Sequence, residues 1–261
     1  DVVFHAAAYY PRHSLDVDGS LREAVLGMRN VLDAAKETGV GRLVFTSSLT
    51  TLGAPSETGR LADEGDFYLP GSTHSAYFES KWAMEAEAWR AIATGLPIVI
   101  VNPTAVFGPW DVGPTTGEIL VNVAQGRFPV WVDLEANVVD ARDVGKGHLQ
   151  AAERGRIGQR YSLGGEHQSV RQALTITARE AGARPPRWQI SLGMISKLVK
   201  AGEALGRLPL IEPLPLEHLK TMREWRALDC SKAQRELGFV HRPFLDTICD
   251  TLAWFRQHKY L

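Results

Sequence analysis

The chain has few cysteines and no long apolar run. Its 261 residues include two cysteines, Cys230 and Cys249, and neither lies in a Cys-x-x-Cys or Cys/His ligand spacing. This usage indicates a reducing compartment and predicts no metal site. No stretch approaches the roughly 20 apolar residues that cross a bilayer, so we expect no stable membrane insertion and a cytoplasmic location.

An excess of charge of one sign is lacking as well. Lys and Arg number 29 against 30 Asp and Glu, for a net charge of -1, and the basic residues form no run. This balance argues against nucleic acid as a partner. With 44% hydrophobic residues, the chain can bury a core in one large domain or two lobes.

The first half of the chain alternates strands with helices. Short apolar runs at Asp1–His5, 42–46 and 97–101 predict parallel strands buried on both faces. A helix is predicted over Ser20–Thr38, opened by the capping box at Ser20 and Glu23. A second helix carries Tyr77 and ends near Gly95. This pattern is typical of an α/β fold.

The second half is predicted to be mostly helical. Strands are expected at Asn137–Ala141 and Tyr161–Gly165, and helices at 116–126, Asp143–Glu153, His167–Ala181 and Leu245–His258. The stretch Leu192–Leu205 is amphipathic at helical spacing. It is expected to cover a core or to form a lid over a substrate lobe, and a surface contact with a partner or lipid is the alternative.

Tyr77 and Lys81 form a potential acid/base pair. Their i, i+4 spacing places both side chains on one helix face. A phenol has a reference pKa near ~10, and a neighbouring cation favours the phenolate. Ser48 follows a strand and, like Asn102 and Pro103, falls at a strand's carboxyl end, where sites lie in parallel sheets. The alternative for the pair is a half-buried aromatic beside a solvated lysine.

Five motifs occur in an order that resembles the extended short-chain dehydrogenases/reductases. They are His5-Ala6-Ala7-Ala8, Thr46-Ser47-Ser48 with Gly53, Tyr77-x-x-x-Lys81, Asn102-Pro103 with Gly108-Pro109, and Asp229-x-Ser231-Lys232-Ala-x-Arg-Glu-Leu-Gly238. The run from Asn102 through Gly165 and the chain's last residues are most similar to hopanoid-associated sugar epimerases and dihydroflavonol reductase-like members.

The resemblance implies a Rossmann-like parallel sheet flanked by helices, with a smaller, mostly helical C-terminal substrate lobe. Residues 1–110 would form part of the dinucleotide-binding domain, to which 137–165 return. Residues 111–136 and 166–261 would form the substrate-binding lobe. The family's N-terminal βαβ units are absent from this sequence.

The resemblance also implies roles for three residues in catalysis. Tyr77 would be the general acid/base, and Ser48 would polarise the substrate oxygen. Lys81 would hold the nicotinamide ribose and stabilise the phenolate.

The implied cofactor is NAD or NADP. By the same resemblance, His5, Ala6 and Ala7 would lie against its adenosine side, and Pro103 and Val106 beside the nicotinamide. The remaining implied cofactor-binding residues, besides Tyr77 and Lys81, are Thr46, Ser47 and Asn102. For His5, a hydrogen-bonded core histidine is an equal alternative.

Two features depart from the family's pattern. The Gly-x-x-Gly-x-x-Gly turn that approaches the pyrophosphate is not present, and the chain opens directly into a strand at Asp1, so we expect a fragment that binds a dinucleotide weakly. Ala136 stands where nucleotide-sugar epimerases carry an arginine that grips the diphosphate. This substitution disfavours a nucleotide-sugar substrate.

Three functions follow from these residues. We expect an NAD(P)-dependent oxidoreductase that interconverts a carbonyl and an alcohol on a small-molecule substrate. An NAD-dependent sugar epimerase or dehydratase is the alternative, and a non-catalytic dinucleotide-sensing module is less favoured because the Tyr/Lys pair is retained. A homodimer through the helices of residues 20–38 and Tyr77 is also expected, since this pairing is common in the family.

Overall fold

The structure is a computed structural model of the chain. It describes residues 1–9, 16–55, 57–73, 75–114, 116–191, 193, 194, 197 and 227–261. The amphipathic stretch predicted over Leu192–Leu205 therefore lies, apart from three of its residues, outside the described residues.

The chain divides into two compact units. The first comprises Asp1–Thr104, Asp143–Gly164 and Leu228–Val240, and the second comprises Ala105–Arg142, Gly165–Ala227 and His241–Leu261. Residues 137–142 thus belong to the second unit, unlike the predicted return of the chain at 137. The reason is that their strand pairs with two strands of that unit.

The first unit is built on a parallel sheet, as the sequence predicts. Its strands β1 (Val2–His5), β2 (Arg42–Thr46), β3 (Ile98–Pro103) and β7 (Arg160–Leu163) are neighbours in that order. All three pairings are parallel. Every residue of β3 is buried, as expected for a strand that is covered on both faces of the sheet.

Helices α1 (Val17–Glu37) and α2 (Ala76–Ala93) pack together and against this sheet. Met28 of α1 and Met84 of α2 are almost fully buried in one core cluster with Phe45 and Ile100. Burial of side chains of this size stabilises a fold by about 1.5–3 kcal/mol each. Helix α4 (Ala141–Arg154) precedes β7, and the Arg42 guanidinium donates to its Ala152 carbonyl at 2.7 Å.

The second unit combines helices with small sheets. Its described strands are β4 (Ala105–Phe107), β5 (Val130–Trp131), β6 (Glu135–Asp140), β8 (Glu166–Ser169) and β9 (Trp188–Gln189). Three of them form a sheet in the order β4, β6, β8, and β5 pairs with β9. The helices of this unit are α3 (Gly117–Ala124), α5 (Val170–Ala181) and α7 (Phe244–Gln257). Helix α6 (Ser231–Leu237) belongs to the first unit.

Two predicted helix starts are wrong. Helix α1 begins at Val17, where the Asp16 carboxylate accepts from the Gly19 amide at 2.8 Å. Ser20 lies inside the first turn, and its hydroxyl donates to the Asp16 carbonyl. The helix predicted from His167 begins at Val170 with a capping box at Ser169, because 166–169 form β8, antiparallel to β6.

None of the helices among the described residues combines the length and the apolar character that crossing a bilayer requires.

Candidate active site

Ser48 lies just beyond the carboxyl end of β2. Its side-chain oxygen accepts from the Thr50 amide at 3.2 Å and caps a single 3₁₀ turn, Leu49–Thr51. A serine hydroxyl satisfies the free amides at a helix start in this way. The residue is mostly buried, so local hydrogen bonding fixes the position of its hydroxyl.

Helix α2 brings Tyr77 to Ser48. Ser75 caps the helix by accepting from the Phe78 amide at 3.4 Å, which places Tyr77 in the first turn. The hydroxyl oxygens of Tyr77 and Ser48 are 3.3 Å apart. Two residues separated by 29 positions in sequence are therefore within hydrogen-bond reach, as acid/base partners must be.

Lys81 lies one turn further along α2 and is buried. Its ammonium donates to the Thr46 carbonyl at 3.4 Å. Burial lowers the pKa of Lys81 from 10.5 to about 8, and the nearby Glu85 carboxylate partly opposes this shift. The ammonium form still prevails at neutral pH, so a positive charge is held next to the strand end.

His5 is the last residue of β1 and is followed by exposed Ala6 and Ala7. Its ring stacks on Phe45 with centroids 5.6 Å apart. Its Nε2 atom is buried without a hydrogen-bond partner among the described residues. Burial, with a smaller contribution from the Lys81 charge, lowers the pKa of His5. A neutral imidazole with an unsatisfied polar atom thus lies at this strand end.

Three predicted cofactor-binding residues use their side chains within the protein. The Thr46 hydroxyl is 2.7 Å from His148 Nε2, and the Ser47 hydroxyl donates to Glu85. The Asn102 amide donates to the Ser48 carbonyl at 3.1 Å. Contact of Thr46, Ser47 and Asn102 with a dinucleotide stays a prediction.

Pro103 and Val106 are placed differently from each other. Pro103 ends β3, is buried, and lies in register with Leu163 of β7. Val106 is partly buried in β4, which belongs to the second unit. Their predicted positions beside a nicotinamide also stay predictions.

A buried polar network centred on Glu85 is not predicted from the sequence. One carboxylate oxygen accepts from Thr51 Oγ1 at 2.7 Å and from Asn102 Nδ2 at 3.1 Å, and the other lies 3.1 Å from Arg160 Nε. Spacing offered a signal, because Tyr77, Lys81 and Glu85 recur every four residues on one helix face. Arg160 offered none, since nothing in the sequence of its short strand, Arg160-Tyr-Ser-Leu163, indicates a buried carboxylate partner.

Within the described ranges, no three His, Cys, Asp or Glu side chains are arranged to hold a metal ion.

The family of the chain follows from comparison with known proteins. The family model "NAD dependent epimerase/dehydratase family" matches residues 1–164. The chain belongs to this family. A putative dihydroflavonol 4-reductase from Synechocystis is 35% identical, with 99% of this chain and 77% of the relative covered. Sterol demethylase protein B from Methylococcus capsulatus is 29% identical, with 98% and 78% covered.

A solved structure agrees with this assignment. The nucleoside-diphosphate-sugar epimerase of Pseudomonas aeruginosa is 30% identical and superposes with a TM-score of 0.82, covering 93% of this chain and 76% of its own. The predicted extended short-chain dehydrogenase/reductase family, the Rossmann-like fold and the NAD(P)-dependent oxidoreductase function are confirmed. The protein is an enzyme that uses NAD or NADP.

The residues at the strand ends fit such a cofactor. His5 presents an unsatisfied buried nitrogen, followed by two small exposed residues over which a nucleotide can pass. The buried Lys81 ammonium carries three donors, and its one hydrogen bond to a described residue goes to Thr46. Polar atoms of this kind suit the hydroxyls of a ribose.

Proposed function

We propose that Ser48, Tyr77 and Lys81 form the acid/base site with which this family member interconverts a carbonyl and an alcohol. The observation that supports the proposal is the 3.3 Å separation of the Ser48 and Tyr77 hydroxyls, with the buried Lys81 ammonium one helical turn away. Two hydroxyl groups can then meet one substrate oxygen, and the cation stabilises the negative charge that a proton transfer leaves behind.

Each side chain has a distinct role in the proposed reduction. NAD(P)H supplies the hydride when it is bound. The Tyr77 hydroxyl donates its proton to the substrate oxygen, and the Ser48 hydroxyl donates a hydrogen bond to the same atom. The Lys81 ammonium stabilises the Tyr77 phenolate and binds the nicotinamide ribose. In the oxidation direction, Tyr77 accepts the proton.

We also propose which other residues contact the dinucleotide cofactor. His5, Ala6 and Ala7 would line the adenosine side, and Pro103 and Val106 would lie beside the nicotinamide. The unsatisfied His5 Nε2 atom supports the first group. We retain Thr46, Ser47 and Asn102 as contacts through the backbone, because their side chains are engaged inside the protein. The substrate is proposed to bind to residues 111–136 and 166–261.

We propose a reductase with a carbonyl substrate rather than a nucleotide-sugar epimerase. The names of several relatives support this choice: they are dihydroflavonol 4-reductase and cinnamoyl-CoA reductase. Ala136 also supports it, because its side chain is buried in the core of the second unit and provides no cation for a diphosphate. The epimerase remains the second candidate because of the Pseudomonas aeruginosa structure.

The test compares the native enzyme with Tyr77→Phe. With dihydroquercetin as the dihydroflavonol probe, the native enzyme is expected to oxidise NADPH or NADH stoichiometrically, followed at the nicotinamide absorbance band. Tyr77→Phe should lower kcat by at least about 100-fold. Conversion of UDP-galactose to UDP-glucose without net cofactor turnover would favour the epimerase. Near-normal turnover by Tyr77→Phe with either substrate would refute the proposed site.

We also propose that the enzyme is a homodimer and is located in the cytoplasm. Ala83 and Met84 are buried within the chain, so an interface through α1 and α2 has to use other side chains. Leu26 of α1 is 56% exposed and is the natural candidate. Cys230 is buried and Cys249 is exposed, and both are free thiols.

A further inference from the structure

Glu85 is a buried carboxylate surrounded by hydrogen-bond donors. Its Oε2 atom accepts from the Ser47 hydroxyl, from Thr51 Oγ1 at 2.7 Å and from Asn102 Nδ2 at 3.1 Å. Its Oε1 atom accepts from Trp89 Nε1 at 3.4 Å. A buried carboxylate with this many donors is held in one orientation.

Arg160 neutralises this carboxylate from β7. Its Nε atom lies 3.1 Å from Glu85 Oε1, and both side chains are buried. The arginine also donates to the Thr51 carbonyl at 3.0 Å and to the Glu64 carbonyl at 3.2 Å, and its guanidinium lies 4.6 Å from the centre of the Phe67 ring. Removing one member of a buried ion pair leaves an uncompensated charge, whereas removing both need not destabilise the fold.

The network connects every element that carries a proposed catalytic residue. Glu85 lies on α2, which carries Tyr77 and Lys81. Its partners Ser47 and Thr51 flank Ser48, whose carbonyl accepts from the Asn102 amide. One carboxylate therefore fixes α2 relative to the Ser48 turn and the end of β3.

We infer that Glu85, held by Arg160, is a positioning residue that sets the separation of Ser48 from Tyr77. This inference rests on the proposed function of those three residues. Glu85 is not proposed to contact the substrate. It acts through the backbone and side chains of the Ser47–Thr51 segment and through its charge.

The side chains that face Lys81 affect its pKa, and this effect provides a separate test of the inference. Glu85 faces it from α2, and His5 faces it from β1. Because the Glu85 carboxylate raises the pKa of Lys81 against the effect of burial, loss of that charge lowers this pKa further. The alkaline limb of kcat/KM should then move to lower pH. A residue that only stabilised the fold would not move this limb.

The experiment compares Glu85→Gln with Glu87→Gln in the active enzyme. Glu87 is a matched control, since it lies two residues along α2, is nearly as buried, and pairs with Arg29 at 2.9 Å. Glu85→Gln is expected to lower kcat about 100-fold, the scale of a misplacement of about 1 Å. It should also move the alkaline limb of kcat/KM to lower pH. Glu87→Gln is expected to lower thermal stability and leave kcat and the limb unchanged.

A double variant separates positioning from folding. Glu85→Gln alone leaves the buried Arg160 charge without its partner and should lower the melting temperature. Glu85→Gln with Arg160→Met removes both buried charges and nearly keeps the volume, so the melting temperature should return toward the native value. The low kcat and the shifted limb should persist. Recovery of native kcat and of the native limb in this variant would overturn the inference, as would native kcat in Glu85→Gln. If Tyr77→Phe abolishes turnover while Glu85→Gln does not, the proposed function stands and the inference alone fails.

Discussion

The hydroxyl oxygens of Ser48 and Tyr77 lie 3.3 Å apart although 29 residues separate them in sequence. The contact depends on two caps, since Ser48 caps the 3₁₀ turn after β2 and Ser75 caps the helix that carries Tyr77. The short distance is thus a product of local backbone geometry at two element ends.

Replacement of Ser48 by Ala should lower kcat by about 100-fold, because one donor to the substrate oxygen is lost. The melting temperature should fall slightly, since the cap of the 3₁₀ turn is lost too. Ser48→Thr keeps the hydroxyl and is the control, with kcat expected within about tenfold of native. Steady-state kinetics with dihydroquercetin measure both. Equal turnover by native enzyme and Ser48→Ala would contradict the role of Ser48.

Replacement of Lys81 by Met should stabilise the protein at neutral pH while it abolishes activity. The pKa of Lys81 is depressed by burial from 10.5 to about 8, which corresponds to about 3 kcal/mol against the charged form. Between these pH values the unfolded chain keeps a proton that the native protein has released, so native stability rises with pH through this window. We expect Lys81→Met to be about 2 kcal/mol more stable at pH 7.

Urea denaturation at pH 7 and at pH 10 measures this difference. It should shrink at the higher pH, where Lys81 is neutral in the native protein. Lys146→Met is the control, because the Lys146 side chain is 68% exposed on α4 and its replacement should change stability equally at both pH values. A destabilised Lys81→Met protein at pH 7 would refute the argument from burial.

The main sheet and the three proposed catalytic residues could be predicted from the sequence. The apolar runs of β1, β2 and β3 are uninterrupted, and residues at the ends of adjacent parallel strands necessarily lie close together. Tyr77 and Lys81 could be paired from their helical spacing alone. In each case the decisive information is local in sequence.

Features that depend on tertiary partners could not be predicted. Strand β8 has the polar sequence Glu166-His167-Gln168-Ser169 and is a strand because it pairs with β6. The ion pair between Glu85 and Arg160 joins residues 75 positions apart, and an arginine in a short buried strand gives no sign of its partner. At the start of α1 the sequence offers two possible cap residues, Asp16 and Ser20. The sequence pattern predicts Ser20, whereas the structure has Asp16 as the cap.

Gly53 is expected to tolerate no side chain. A Cβ atom built on it would lie 2.1 Å from the Phe67 carbonyl oxygen, and its neighbour Leu52 forms an antiparallel bridge with Phe67. Because the obstacle is backbone, Gly53→Ala should destabilise the protein by about 2 kcal/mol. Gly27→Ala is the control, since among the described residues no atom beyond its chain neighbours and the backbone of its own helix lies within 4 Å of a Cβ there, and in a helix it should stabilise by about 0.5–1 kcal/mol. Chemical denaturation of both variants measures the contrast, and equal stability would contradict it.

The proposed homodimer predicts that a charge at Leu26 disrupts assembly. Leu26 is 56% exposed on α1 although it is a large apolar side chain, and a leucine in such a position loses its contact area when it is replaced by a charged residue. Light scattering coupled to size-exclusion chromatography should report a dimer for the native protein and a monomer for Leu26→Glu. Leu245→Glu is the control, because Leu245 is 47% exposed on α7 of the second unit and its replacement should leave the dimer intact. A native protein that elutes as a monomer, or a Leu26→Glu variant that remains dimeric, would exclude pairing through this face of α1.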